Sequence, residues 1–374
     1  MKKILITGAS GFIGKNAVNY LKYNFKDFEI NTLSYKLNDN IFNKKILDAE
    51  FIIHLAGVNR PKNIHEFKLG NYDYTKKICN TLIAHNKKTP IIFTSTIHIG
   101  KKHETKIHSA YAKSKQDAEN CLKNYSNIMK APVYIFRLPH VIGKWCKPNY
   151  NSVISTFCYN ISRNKNLTIT HPNKKLKIIH VDDLIVQFFK LINKKIHLKY
   201  SIAKIKSYDL KISQLVNKLN SIYLSLNEIN LLNLNKKIDK ILYSTFITYL
   251  PKKKLLQNLI SNKDNRGNFV EVLKRKEFGQ ISFLTSAPKI VRGNHFHNMK
   301  CEIFIIISGM ALYSSKPLNG SPSYSFSLNG KNPQLIRTVP GEIHSIKNIG
   351  KKELIVLVWA NEVFNVKSPD TYQV

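Results

Sequence analysis

The chain opens MKKILITGASGFIG, a short apolar stretch, Lys3–Thr7, running straight into Gly8, Gly11 and Gly14. This predicts a strand, a glycine turn and then a helix with Ala17, Val18 and Leu21 on its apolar face. Glycines three residues apart let the backbone approach a pyrophosphate and aim a helix N-terminus at it. An ordinary tight strand-to-helix turn would use the same residues. The apolar strand before it and the helical period after it give the match its meaning. Gly8, Gly11, Phe12, Ile13 and Gly14 are therefore the first candidate cofactor contacts.

A length of 374 residues suits two domains, at roughly 100–200 residues each. No apolar run approaches the roughly 18 residues of a membrane span, so no membrane insertion is expected. The apolar stretch after Lys2 and Lys3 breaks at Gly8, too soon for a signal peptide. Cys79, Cys121, Cys146, Cys158 and Cys301 are scattered without a CxxC pair, which fits a reduced cytoplasmic protein. Lys plus Arg outnumber Asp plus Glu by 59 to 23, a formal +36. Such a charge could serve an anionic partner. The lysines are spread rather than clustered, however, among abundant Asn and Ile, which reads as compositional drift. No nucleic-acid-binding motif accompanies them, so no nucleic-acid partner is expected.

Glu29–Leu33 reads as the second strand. An acidic residue at its end would hold the ribose of NAD. Ser34, Tyr35 and Lys36 stand there instead, a hydroxyl and a cation better suited to the 2′-phosphate of NADP, although Lys36 also reads as one more solvated lysine. Two further buried strands, within Ala49–Gly57 and Thr89–Thr96, end in small or hydroxyl residues. Strands separated by helical stretches imply a doubly wound parallel sheet with ligands beyond its carboxyl ends. Leu55, Ala56 and Gly57 would then pass under the cofactor, with Gly8 and Thr96 on the same crevice. Fifteen residues past Thr96 come Tyr111 and Lys115, which at i and i+4 share a helix face. The ammonium would lower the phenol's pKa and make it a usable acid or base. Y-x-x-x-K is common in a lysine-rich chain; here its position carries the weight.

The pieces TGASGFIG (7–14), HLAG (54–57), FTST (93–96), YAKSK (111–115), RLPHVIG (137–143) and HVDD (180–183) resemble the extended short-chain dehydrogenase/reductase family, in its nucleotide-sugar branch. The resemblance runs from residue 1 to about 250 and implies a Rossmann-like α/β domain. It implies that Thr96 polarises the substrate carbonyl, that Tyr111 is the acid/base and that Lys115 binds the nicotinamide ribose. The segment from Thr96 to Tyr111 is short and lacks the family's V-Y-G, a departure from the pattern that places Thr96. Arg137 and His140 fall on the substrate side. The loop Gly143–Ser152, before an apolar helix Val153–Ile161, corresponds to the region that closes over the sugar. Lys144, Lys147, Asn149 and Asn151 there could bind diphosphate or sugar hydroxyls, or could simply form a surface loop. Leu210, Leu215, Leu219 and Ile222 suggest further helices. Tyr249–Leu255 looks like a linker, giving domains 1–255 and 256–374.

From Asp264 the texture changes to short alternating segments punctuated by Gly, Pro and Asn, as in an all-β sandwich or barrel. His295 and His297 alternate on an extended segment and face one side. With Glu302 and His344 they make a three-nitrogen, one-oxygen set suited to zinc, iron or manganese. Two glycine-punctuated blocks of this kind predict a cupin barrel holding a divalent metal, zinc first. Some cupins use such histidines as acid/base groups instead.

HLAGVNRPK (54–62), GKWCKPNYNSVISTFC (143–158), DNRGNFVEVLK (264–274), GQISF (279–283), RGNHFHNMKCE (292–302) and WANEVFNVKSPDTY (359–372) together resemble the CapF-type bifunctional capsular polysaccharide enzymes. The resemblance spans nearly the whole chain. It implies C3 epimerisation of a UDP-2-acetamido-2,6-dideoxy-4-ketohexose in the cupin domain. NADPH then reduces C4 in the first domain to the UDP-L-talose derivative, on the way to UDP-N-acetyl-L-fucosamine. Paired barrel strands would make a homodimer. An alternative is a plain nucleotide-sugar 4-reductase, epimerase or dehydratase with a structural or dimerising cupin. Ile97 and His98 stand where a dehydratase usually has an acidic pair. A nucleotide-sensing protein with an inactive reductase fold is disfavoured by intact Thr96, Tyr111 and Lys115.

Overall fold

The computed structural model describes residues 1–34, 38–102, 105–193 and 200–374, so Tyr35 and Lys36 lie outside the described residues. The chain forms two compact units, Met1–Asn220 with Leu234–Pro251, and Ser221–Asn233 with Lys252–Val374. The sequence divides the domains near 255; the structure also assigns Ser221–Asn233 to the second unit. There Leu231 donates to the Lys274 carbonyl and Lys274 to that of Ile229.

In the first unit the order is β1 (Lys2–Thr7), α1 (Phe12–Asn24), β2 (Phe28–Leu33), α2 (Asp39–Asp48), β3 (Phe51–His54), then α3 (His65–Phe67). A π-helical turn, Lys68–Asp73, carries α3 into α4 (Tyr74–Ala84). Next come β4 (Ile91–Thr96), α5 (Lys106–Met129), β5 (Val133–Leu138), β6 (His140–Ile142), α6 (Val153–Ile161) and β7 (Lys175–His180). The remainder is α7 (Val181–Asn193), β8 (Tyr200–Ile202), β9 (Tyr208–Lys211), α8 (Ile212–Asn227), which from Ser221 on counts with the second unit, and α9 (Lys237–Ile247). β2-β1-β3-β4-β5-β8 form one parallel sheet, while β6-β7-β9 form a small second one. Leu210, expected in a helix, is in β9; Leu215, Leu219 and Ile222 are buried along α8.

The sheet strands are apolar on both sides because both faces are covered. Leu5, Ile52, Phe93 and Ile135 pack on one side with Ile78, Leu82, Leu122 and Tyr125 of α4 and α5. Ile4, Ile6, Ile53 and Phe136 pack on the other with Leu21 of α1 and Leu184, Ile185 and Phe188 of α7. The strand order turns back between β1 and β3, and a crevice at the carboxyl ends of these strands follows from that topology.

The second unit carries β10 (Ser261–Asp264), β11 (Gly267–Arg275), β12 (Gly279–Ser286), β13 (Val291–Phe296), β14 (Glu302–Ser308) and β15 (Met310–Pro317). It ends with β16 (Tyr324–Asn329), β17 (Leu335–Arg337), β18 (Glu342–Asn348), β19 (Leu354–Ala360) and β20 (Tyr372–Gln373). Of the expected cupin barrel, the strands show a β-rich unit without a single closed sheet. They make two antiparallel sheets, β10-β11-β12-β19-β14-β17 and β16-β15-β18-β13-β20. Short edge strands such as β17 and β20 leave little backbone to zip the sheets together, and a double-sheet sandwich protects its edges without closure. Phe304, Ile306, Leu354 and Val356 of one sheet meet Ala311, Tyr313, Leu328 and Ile346 of the other in a shared core.

The glycine turn is packed too tightly for side chains. A Cβ on Gly14 would stand 2.1 Å from the Gly8 carbonyl oxygen. Gly8, at φ +69°, would place one 2.6 Å from the Ala56 amide nitrogen. Gly14→Ala is therefore expected to cost at least about 1–3 kcal/mol of stability, measured as a lower urea midpoint. An unchanged midpoint would show that the turn opens freely.

Candidate functional site

In the first unit a chain of buried hydrogen bonds ties the strand ends to the helices behind them. Thr75 Oγ1 donates to the Asn71 carbonyl at 2.6 Å, so its oxygen accepts from His54 Nε2 at 2.9 Å. That fixes the proton on Nε2. Nδ1 then accepts from Thr7 Oγ1 at 2.7 Å, and Thr7 Oγ1 accepts from the Ala56 amide at 3.1 Å. Burial first, then the charge of Lys115, pulls the His54 pKa down to about 3, so the ring is neutral. Asn71, in the π-helical turn, accepts from the Val58 amide and donates to the Val58 carbonyl and to Ser114 Oγ. The segment Leu55–Val58 is thus held from β1, from the π turn and from α5.

Gly57 sits where this network meets Lys115. A Cβ there would lie 2.8 Å from Asn71 Oδ1 and 3.0 Å from Lys115 Nζ. Lys115 is buried; it donates to the Thr94 carbonyl at 3.0 Å and lies 4.6 Å from the Phe93 ring centre. Burial lowers its pKa to about 8, with the Glu119 charge opposing. Tyr111 lies one helical turn earlier on α5, its ring 5.5 Å from that of Phe67. Burial raises its pKa to about 12, the reverse of the lowering argued from Lys115. The ammonium is committed to the Thr94 carbonyl, and desolvation governs the phenol. Thr96 ends β4, buried, and accepts from the His98 amide at 3.2 Å. Gly8, Gly11, Phe12, Ile13 and Gly14 form the turn and first residues of α1, and Ser34 stands exposed after β2.

Several other expected residues are differently engaged. Arg137 forks onto buried Glu119 of α5 through bonds of 3.0 and 2.7 Å, strapping β5 to that helix. Lys144 pairs with Asp182 at 2.9 Å. His140 begins β6, its pKa lowered by burial and then by His98 and Lys174. Lys147, Asn149 and Asn151 are exposed on the loop before α6; Asn149 is at φ +53° with its amide on Thr156 Oγ1. Tyr249 Oη donates to the Cys146 carbonyl at 2.6 Å, tethering that loop.

In the second unit the expected quartet converges. His295 of β13, His297 just after it, His344 of β18 and Glu302 of β14 place their ligand atoms within 4.8 Å of one another. Glu302 Oε2 is 3.5 Å from both His297 Nε2 and His344 Nε2. The Nε2 atoms of all three histidines are buried without a hydrogen-bond partner. Three such imidazole nitrogens and a carboxylate are a donor set that could hold a divalent cation. Burial opposes ionisation of Glu302, but His297, His344 and Lys300 outweigh it and hold its carboxyl well below the usual range. Lys300 Nζ lies 3.2 Å from Glu302 Oε1. Behind the quartet, His297 Nδ1 donates to the Asp370 carbonyl at 2.5 Å. The Asp370 carboxylate accepts the successive amides of Asn298, Met299 and Lys300. His295, Glu302 and His344 border a cavity of about 410 Å³.

The model for the NAD dependent epimerase/dehydratase family matches residues 4–203, and that for the polysaccharide biosynthesis C-terminal domain matches residues 262–372. Over 372 residues the chain is 34% identical to a UDP-2-acetamido-2,6-beta-L-arabino-hexul-4-ose reductase of Pseudomonas aeruginosa, covering 99% of this chain and 98% of the relative. It superposes on the capsular polysaccharide assembling protein CapF from Staphylococcus aureus with a TM-score of 0.90, at 34% identity and 99% coverage of each chain. The chain belongs to the CapF family, within the NAD dependent epimerase/dehydratase family. It is accordingly an enzyme, an oxidoreductase. RMD from Pseudomonas aeruginosa, solved with NADPH, shares the fold of the first unit at 19% identity and a TM-score of 0.50 over 60% of this chain. Among the described residues, no helix is long and apolar enough to cross a membrane.

His54, Asn71 and Asp370 were not singled out in the sequence. His54 sits inside HLAG, where it reads as part of an apolar strand. Asn71 and Asp370 carry no spacing signal; their roles come from partners brought close by the fold.

The depressed His54 pKa makes a sign-definite prediction. The unfolded ring takes a proton near its ordinary 6.5 and the folded one only near 3, so stability is full above pH 6.5 and falls as pH drops toward 3. His54→Gln should flatten this acid loss in a denaturant–pH series; an unchanged slope would contradict it. Asp370→Ala frees three amides and slackens the carbonyl that orients His297. It should weaken zinc binding about 10–100-fold in a chelator competition, and unaltered affinity would show that the anchor is dispensable.

Proposed function

We propose that the chain acts on a UDP-linked 2-acetamido-2,6-dideoxy-4-ketohexose in two steps. The histidine–glutamate cluster of the second unit inverts C3, and NADPH at the first unit then reduces C4. The product is the UDP-2-acetamido-2,6-dideoxy-L-talose derivative, an intermediate of capsule or O-antigen sugar synthesis. Three buried imidazole nitrogens gathered with one carboxylate, on a chain that also carries a reductase unit, are the observation behind this reading. The full-length likeness to a hexulose reductase supports the substrate class. We read the paired sheets as a cupin-type scaffold. Two copies would associate through this unit, where Ile307, Met310, Phe326 and Leu335 are exposed.

The chemistry follows from the ketone. A carbonyl at C4 acidifies the C3 proton, which a base can remove from one face and return to the other. A divalent metal held by His295, His297, Glu302 and His344 would supply Lewis acidity that stabilises the negative charge left by that proton. His297 keeps Nε2 free for it because Nδ1 is spent on the Asp370 carbonyl. In the first unit, Gly8, Gly11 and Gly14 would take the pyrophosphate of NADP(H). Gly57 would let the cofactor pass above Lys115, whose ammonium would hold the nicotinamide ribose. Ser34 would face the 2′-phosphate, which the hydroxyl and cation types at 35 and 36 also suit. As hydride reaches C4, Tyr111 would give its proton to the forming alkoxide, with Thr96 polarising the carbonyl. A phenol held near 12 is protonated at neutral pH and set to donate, the direction reduction needs.

Tyr111→Phe should abolish NADPH oxidation yet leave exchange of the C3 proton with D₂O. Loss of both would merge the two sites into one. His295→Ala or His297→Ala should strip the metal and stop exchange; a variant retaining stoichiometric metal would remove that residue from the ligand set.

A further inference from the structure

The cavity beside the histidine cluster holds a guanidinium that neither metal binding nor proton transfer uses. Arg292 is 8% exposed, and its Nε is buried without a partner. Its Nη2 reaches the Asn268 carbonyl only at 3.4 Å and Asp264 Oδ1 only at 3.5 Å. Asp264 is already taken by Arg266, through the amide at 2.9 Å, Nε at 2.9 Å and Nη2 at 2.6 Å. One carboxylate thus faces two guanidinium groups, and Lys263 lines the same cavity. Burying a guanidinium with so little compensation is costly. An anion entering the cavity would supply that compensation.

Strict strand alternation would put Arg292 and His295 on opposite faces. A bulge prevents this. Arg292 pairs with Ile346 and His295 with His344, with a register shift between Gly293 and His295. Gly293 at φ +92° and Asn294 at φ +64° absorb the extra residue. Ile346 and His344 are two residues apart and face inward together, so Arg292 and His295 do as well. Their backbone rows are about 7 Å apart, two strand residues. A charged group held at Arg292 therefore presents what is attached to it to the histidine cluster.

We propose that Arg292, with Arg266 and Lys263 on the exposed rim, forms an anion subsite that takes the diphosphate of the nucleotide sugar in the second unit. A guanidinium fork matches phosphate oxygens in geometry and charge. This rests on the reading that the second unit handles the same nucleotide sugar.

The test uses the full-length, zinc-loaded protein with UDP as the probe. Hydrogen–deuterium exchange read by mass spectrometry should show UDP protecting segments 261–268 and 291–296, and Arg292→Gln should abolish that protection. For C3-proton exchange of the ketosugar, Arg292→Gln should raise KM about tenfold or more. Its kcat, zinc stoichiometry and NADPH affinity should stay within about twofold. Arg266→Gln, at an exposed position, gives a smaller KM increase and serves if the first variant does not fold. Absence of UDP protection in the wild type, or an unchanged KM in the variants, overturns the subsite. Protection by UDP without any C3 exchange leaves the subsite standing and overturns the epimerase reading.

Discussion

A neutral imidazole at the end of β3 is the contact on which the first unit's site depends. His54 takes one hydrogen bond from Thr7 and gives one to Thr75, so its ring can neither turn nor charge without breaking a strand-to-helix tie. Those bonds hold the Ala56 amide and the Asn71 carbonyl. Asn71 in turn holds Val58 and Ser114. Through this chain the Leu55–Val58 segment, the end of β1 and the helix bearing Tyr111 and Lys115 are tied together. Lys115 can remain buried because the Thr94 carbonyl and the Phe93 face receive its ammonium.

The second unit solves a different problem with similar means. Its histidine–glutamate cluster comes from strands of two sheets, so no single hairpin fixes the geometry. The bulge after Gly293 turns His295 inward, and Asp370 ties the following turn down by three amides while its carbonyl orients His297. A carboxylate surrounded by imidazoles and Lys300 stays ionised despite burial.

The features legible in the sequence were those written locally. The glycine turn, the buried strands, the Tyr111–Lys115 spacing and the histidine pair at 295 and 297 are each contained in a few residues. What escaped depends on distant partners. Arg137 is expected on the substrate side, and its pairing with Glu119 on α5 appears only in the fold. The spacing sets Lys115 near Tyr111, but the phenol's pKa follows its desolvation by the packing around α5. The periodicity of Leu210 continued a helical pattern that β9 interrupts. Whether two sheets close into a barrel depends on edge strands two or three residues long, below what alternation can reveal. The adherence of Ser221–Asn233 to the second unit rests on a few backbone bonds near Lys274 with no sequence signature.

If one ketone visits both units, a single product molecule must carry the marks of both. The direct measurement is NMR of the product formed from the UDP-linked 4-ketosugar by metal-replete protein with ordinary NADPH in D₂O. The account predicts deuterium from solvent at C3 and protium from the cofactor at C4, with inverted configuration at C3. A product that keeps its original C3 proton, or NADPH left unconsumed, would contradict it.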